Sequence, residues 1–195
     1  MNKKEEQNLL RRRQILEIAL DHFIRYGFAG TSTRKIAEEA QISSGLMFHY
    51  FPDKTAIYEE LVKIACEKMI VDTKSVTDPI AFFEKQIDWF YEILSADDVS
   101  SKIFIFMGLA AINASDISPT AAALLKAHDI ESLSIPIIKK GQKAGVIRKG
   151  DPLALSVMFY GNLQQFAINM AVRPGLRLPP KESFMACLIV KGENS

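Results

Sequence analysis

"STRKIAEEAQISSGLMFHYFPDK", Ser32 to Lys54, places two short amphipathic patterns on either side of one interruption and ends in aromatics and a Pro-Asp-Lys. Ile36, Ala37 and Ala40 of the first pattern face Ile42 and Met47 across the break. A small side chain at Ala37 lets two helices cross closely, and Ile42 plugs the turn between them, which is helix-turn-helix geometry. The shape alone also fits a plain corner between two helices of any all-helical protein.

The side chains around that geometry narrow the choice. Thr31 and Thr33 flank Ser32 and bring hydroxyls and free N–H groups to a helix N-terminus, an arrangement suited to phosphate. Arg34 projects from the same first turn, within reach of a guanine edge. The second helix opens with Ser43, Ser44 and Gly45, small enough for close approach to a major groove, and His49, Tyr50 and Lys54 supply donors for backbone phosphate. Between Leu10 and Lys35, Arg11, Arg12, Arg13, Arg25, Arg34 and Lys35 stand against only Glu17 and Asp21, enough for one basic face. A solvated helix face accounts for the same charges.

The composition fits such a reader without requiring one. The chain has 195 residues, 48% of them hydrophobic, enough to bury a substantial core, and its formal net charge is only +1, so it is not globally basic. Cys66 and Cys187 lie far apart in apolar helical patterns and read as buried, reduced thiols of a cytoplasmic protein. The opening MNKKEEQNLLRRRQ has no apolar run, which argues against a signal peptide. The longest apolar stretch, IFIFMGLAAI at Ile103 to Ile112, is about half of what spans a bilayer, so no membrane partner is expected.

Helical periodicity runs from Leu10 to Tyr26, with Ile15, Ile18, Ala19, Phe23 and Tyr26 on one face, and Gly27 stops it. A helix beginning near Asp53 follows the opening stretch, with Ile57, Leu61, Ile64 and Cys66 or Met69 inward. Asp78-Pro79, Ser118-Pro119 and Asp151-Pro152 each set a capping side chain before a proline. They predict helices at about 78–95, 118–143 and 151–173, with an apolar helix at 100–114, a kink at Pro136, and closure at Gly141 and Gly145. A last helix is expected after Pro179-Pro180, ending near Val190. No segment alternates as a strand does, so the chain reads as all-α.

The stretch from Arg11 to Val62 resembles the N-terminal domain of the TetR family of bacterial transcriptional regulators. The resemblance is carried by Ile15-Leu16-x-x-Ala19, Phe23-x-x-x-Gly27, Thr31-Ser32-x-x-x-Ile36-Ala37 and Ser43-x-Gly45-x-x-Phe48-x-Tyr50-Phe51-x-x-Lys54. Farther on, "GQKAGVIRKGDP" before a long helix is a weaker echo. The resemblance implies a three-helix DNA-binding domain at 1–52 and a larger helical bundle at 53–195 for ligand binding and dimerisation. It assigns Thr31 and Thr33 to phosphate and Arg34 to base contact. Ser44, Gly45, Leu46 and Phe48 fall on the groove-facing side, and His49, Tyr50 and Lys54 on the DNA backbone. Three positions depart from the pattern: Gln41 stands where glycine is usual, Phe48 where tyrosine is usual, and Leu46 where a hydroxyl is frequent. A non-glycine at Gln41 then has to accept a left-handed turn, at about 1–2 kcal/mol.

In the second part, aromatics and methionines with scattered polar groups suit either plain core or an apolar cavity with a few orienting contacts. Trp89, Phe104, Met107, His128, Phe159 and Gln165 are the candidate ligand contacts; His128 reads more readily as a satisfied, partly buried histidine than as a ligand contact. The family pattern implies a homodimer through the last two long helices, with Phe159, Leu163, Phe166 and Met170 on the first and Leu188 on the second. It further implies a repressor of a palindromic double-stranded operator, released by a small hydrophobic effector. No metal or cofactor is expected. No GxGxxG, GxxxxGK[ST], GxSxG or HExxH motif occurs, which argues against an enzyme. The competing reading from another class is a helical protein-interaction adaptor without DNA binding.

Overall fold

Asn2 opens the first helix with a reciprocal capping box: its side chain accepts from the Glu5 N–H at 2.9 Å, and the Glu5 carboxylate accepts from the Asn2 N–H at 2.9 Å. In the computed structural model of the chain, which describes residues 2–96 and 98–189, this helix, α1, spans Lys3–Gly30. It is broken where the sequence predicts a stop, at Gly27, whose φ of 67° lies in the left-handed region. The inward face differs in part from the expected one. Leu16, Leu20 and His22 join Ile15, Ala19 and Phe23 in the core, while Tyr26 is exposed.

Helices α2 (Thr33–Glu39), α3 (Ser44–Tyr50) and α4 (Lys54–Lys68) follow, then α5 (Pro79–Ala96) and α6 (Asp98–Ile117). The remaining elements are α7 (Pro119–Ala127), α8 (Ile130–Leu133), α9 (Ile135–Lys143), α10 (Pro152–Val172) and α11 (Glu182–Met185). No strand occurs among the described residues; one isolated antiparallel bridge joins Ile147 and Ile189.

The chain divides into two compact units, residues 1–69 with 102–127, and residues 70–101 with 128–195. This division does not follow the boundary expected between 52 and 53. Helix α4 packs on α1 and most extensively on α7, so it belongs with the N-terminal helices. The first unit is centred on Ile15, Leu20, Ile36, Met47, Phe51 and Ile57, all nearly or fully inaccessible. Phe23, Phe28, Tyr58 and Phe106 form an aromatic cluster beside them, with ring centroids 5.4 to 6.2 Å apart. Burial pushes the Tyr58 phenol up to about 12. In the second unit Phe83, Phe90, Ile87, Ile138 and Phe159 are fully buried. The Tyr160 hydroxyl is also drawn in, its pKa raised by burial, and it shares a 3.0 Å hydrogen bond with the fully buried Ser134.

The helix expected at 118–143 is three pieces. Asp129 caps α8 by accepting from the Ser132 N–H at 3.1 Å, which breaks the chain at His128. Pro136 falls in the first turn of α9, where its missing N–H costs nothing, so no kink forms. Gly141 does not end the helix either. A Cβ there would lie 2.5 Å from Ile147 Cδ1, so glycine is required for packing, and the stop comes at Gly145 with φ of 74°. The last helix reduces to Glu182–Met185; Cys187 and Leu188 lie in the turn beyond it, and Val190 lies outside the described residues.

The turn of the helix-turn-helix is a Schellman motif. The Ile42 N–H donates to the Ala37 carbonyl at 3.0 Å and the Gln41 N–H to the Glu38 carbonyl at 3.1 Å. Gln41 therefore takes the left-handed position, φ 56°, as its place in the pattern predicts. Gln41→Gly relieves about 1–2 kcal/mol of strain and loses about 0.5–1 kcal/mol through the greater freedom of the unfolded chain. A small net gain is expected, read as a rise of a few degrees in melting temperature; a fall places the glutamine side chain in a stabilising contact.

Candidate DNA-reading site

Helix α3 buries only Met47, at 1% exposure, and leaves Ser44, Gly45, Leu46, Phe48 and His49 exposed. Leu46 and Phe48 are 41% and 51% exposed, unusual for large apolar side chains on a seven-residue helix unless that face meets a partner. Ser43 starts the helix, its hydroxyl oxygen accepting from the Leu46 N–H at 3.1 Å, which leaves the hydroxyl hydrogen available to donate. A Cβ at Gly45 would meet only Ser43 Oγ, at 4.0 Å, so nothing in the protomer demands glycine there. Close approach of another molecule supplies a reason for it.

Arg34 lies on exposed surface, its side chain 82% accessible, and makes a 3.1 Å contact with Glu38 one turn on. Such an exposed pair is weak and easily exchanged for a base edge or phosphate. Thr33 is the first residue of α2, and the Ser32 side chain makes no capping hydrogen bond to its first-turn N–H groups. His49 packs edge-on against Tyr50 at 5.7 Å, and the Tyr50 hydroxyl donates to Asn8 Oδ1 at 3.1 Å. The phenol oxygen retains acceptor capacity, but its hydrogen is engaged.

Two residues assigned to phosphate are turned to internal work. Thr31 is 4% exposed and its hydroxyl donates to the Gly27 carbonyl at 2.7 Å, closing the turn after α1. Lys54 Nζ donates to the Phe28 and Thr31 carbonyls at 2.6 and 2.9 Å and sits 4.3 Å from the Phe28 ring centre. The basic tract is likewise less outward than its charges imply. Arg11 donates to the Ala40 carbonyl, the C-cap of α2, at 3.1 Å, and Arg12 to the carbonyl of Tyr50, the last residue of α3, at 2.8 Å. Helix C-termini leave carbonyls without partners and favour cations. Each of α1, α2 and α3 thus receives one from another part of the domain. Sequence reasoning missed this use of cations, and it missed His22, whose Nε2 lies 2.9 Å from the Glu39 carboxylate and joins α1 to α2. The signal was present in the periodicity, since His22 falls on the inward face of α1.

The candidate ligand contacts fall in both compact units. Trp89, His128, Phe159 and Gln165 belong to the second unit, and Phe104 and Met107 to the first. Phe159 is fully buried between the rings of Phe83 and Tyr160, at 4.9 and 5.0 Å, whereas Gln165 is exposed on the opposite side of α10. Trp89, Phe104, Met107 and His128 are half-buried, and His128 lies in the break between α7 and α8 rather than mid-helix. Of the candidate dimer contacts, Phe159, Leu163 and Leu188 are buried within the protomer, while Phe166 and Met170 keep part of their surface. The apolar side chains α10 exposes are Leu153, Val157, Met158 and Val172.

Residues 15–61, from the inward face of α1 into α4, match the family model for bacterial regulatory proteins of the tetR family. The regulator RutR of Escherichia coli strain K12 is 26% identical over 162 residues, which cover 80% of this chain and 74% of RutR. Among solved structures, AibR in complex with isovaleryl coenzyme A and operator DNA has a TM-score of 0.66 at 16% identity, covering 90% of this chain and 94% of AibR. The SmeT–triclosan complex has a TM-score of 0.63 at 20% identity, covering 94% and 93%. Residues 15–61 thus carry the helix-turn-helix domain of the tetR family, and the chain as a whole shares the all-helical fold of these solved structures. No helix of the described residues is long and apolar enough to cross a membrane.

Proposed function

We propose that this chain is a cytoplasmic, ligand-responsive repressor that binds a palindromic operator as a homodimer and leaves it when a small hydrophobic effector binds the helices beyond α4. The observation that carries the DNA-reading part is the exposed face of α3, Ser44 to His49, presented by a helix with a single buried anchor. Thr33, Arg34, Ser43, Ser44, Gly45, Leu46, Phe48, His49 and Tyr50 are the DNA contacts in this reading; Phe48 and Leu46 suit thymine methyl groups, and Arg34 a guanine edge. The exposed apolar side chains of α10 support the homodimer. Their spacing includes Gly161, where a Cβ would meet nothing within 4 Å, which favours close approach of a second helix. A two-fold dimer has to present its two α3 helices about 34–36 Å apart, one turn of DNA. An effector releases DNA only by preferring a conformer in which that spacing is wrong.

Selection of bound duplexes from a randomised library, followed by titration with a panel of apolar small molecules, tests the reading. A palindromic consensus with salt-dependent affinity is the expected result; an absence of salt-dependent duplex binding favours the adaptor. Within that assay, Arg34→Ala is expected to lose about 1–3 kcal/mol of discrimination at one base position. Equal losses on selected and scrambled duplexes would remove Arg34 from base readout.

A further inference from the structure

Helix α3 is seven residues long and is held to the domain by one buried side chain, Met47. Its orientation therefore depends on its two ends. The N-terminal end is fixed by the Ser43 cap. At the other end the carbonyl of Tyr50 has no helical N–H to accept from, and Arg12 of α1 supplies the donor, Nη1 to oxygen at 2.8 Å. The same guanidinium donates from Nε to Glu60 of α4 at 2.9 Å and from Nη2 to the second oxygen of that carboxylate. Its carbon lies 4.2 Å from the centre of the Phe51 ring, a residue 1% exposed immediately after α3. One planar fork thus touches α1, the end of α3 and α4 together. Lysine has no equivalent geometry, since a single ammonium on a flexible stem does not span a carboxylate and a carbonyl while lying on a ring.

We propose that Arg12 is the positioning residue of the DNA-reading helix: held in place by Glu60, it fixes the angle at which α3 enters the groove. This rests on the DNA-binding reading above. Arg12 is directed at protein groups and carries no phosphate, so its loss acts on sequence discrimination and not on general attraction to DNA. Misalignment of a short reading helix breaks several base contacts at once, whereas exposed cations still find phosphates.

The test uses the full-length protein, a duplex selected by the wild type from a randomised library, and a scrambled duplex of equal length and composition. Arg12→Lys is expected to weaken the selected duplex at least about tenfold and the scrambled one by less than about twofold, with helical content and dimerisation unchanged. Glu60→Gln, a milder variant of the same contact, is expected to shift the ratio in the same direction by less. Arg12→Glu, which leaves the Tyr50 carbonyl without its donor, is expected to lose the preference altogether while the scrambled duplex is bound much as before. Retained preference in R12K or R12E, or equal losses on both duplexes, would each overturn the proposal. A wild-type protein that selects no sequence overturns the DNA-reading itself and this role with it. Wild-type selection together with an unaltered R12K overturns the positioning role alone.

Discussion

Phe159→Ala is expected to lower the free energy of unfolding by about 3–5 kcal/mol, as for other fully buried aromatics truncated in a packed core. The ring has no accessible surface, and Phe83 and Tyr160 pack edge-on against it at 4.9 and 5.0 Å. The residue pattern offers the same position as a ligand contact and the family pattern as a dimer contact, and these roles separate experimentally from that of a core residue. Urea melts at fixed protomer concentration report stability, and sedimentation reports assembly. A core residue loses stability first, and any dissociation follows from unfolding. Val157→Asp supplies the contrast: at 44% exposure on α10 it leaves the protomer folded and puts a charge on the surface proposed to meet a second copy. If Phe159→Ala yields stable monomers and Val157→Asp stable dimers, the interface lies where the family pattern put it.

Lys54→Met is expected to cost about 2–3 kcal/mol of stability, in line with removing a charged donor from two partly buried carbonyls. It should weaken binding to every duplex by misplacing the segment from Phe28 to Thr31 and with it the start of α2. The feature that distinguishes this from a phosphate contact is the dependence of affinity on salt. Removing a true phosphate contact flattens the slope by about one. A lysine engaged with the Phe28 and Thr31 carbonyls leaves the slope as it was. A flattened slope in a variant of wild-type stability would return Lys54 to the DNA.

The N-terminal half was legible because its rules are local. The Gly27 break, the helix starts at Ser44 and near Asp53, and the inward row of Ile36, Ala37, Ala40 and Met47 follow from spacing and residue type, while the left-handed Gln41 follows from its place in the family pattern. What spacing does not contain is the destination of a long cationic side chain. Arg11, Arg12 and Lys54 look outward by charge, yet each is drawn to the orphan carbonyls of a helix that is distant in sequence or folded back against it. Thr31 turned inward for the same reason, since a hydroxyl four residues after a broken helix finds a carbonyl before it finds a ligand. In the second half the proline signals located helix starts well, as at Pro79, Pro119 and Pro152. They did not show that Asp129 outcompetes continuation of α7, because an aspartate inside an otherwise periodic run reads as a surface residue. Apolar content was visible on α10, but which apolar face is core and which is left uncovered depends on partners that sequence spacing does not name.

The inward-turned arginines bear on how this regulator behaves as ionic strength changes. Each phosphate neutralised by a lysine or arginine releases condensed counterions, and the number released sets how steeply affinity falls with salt. With Arg11, Arg12 and Lys54 engaged by carbonyls, fewer cations per protomer are free for DNA than the tract suggests, and in the proposed reading more of the contact falls to Leu46, Phe48 and neutral hydroxyls. On that reading, occupancy of the operator falls less steeply with ionic strength than the basic tract suggests, and the same economy of free charge leaves weaker retention on unrelated DNA.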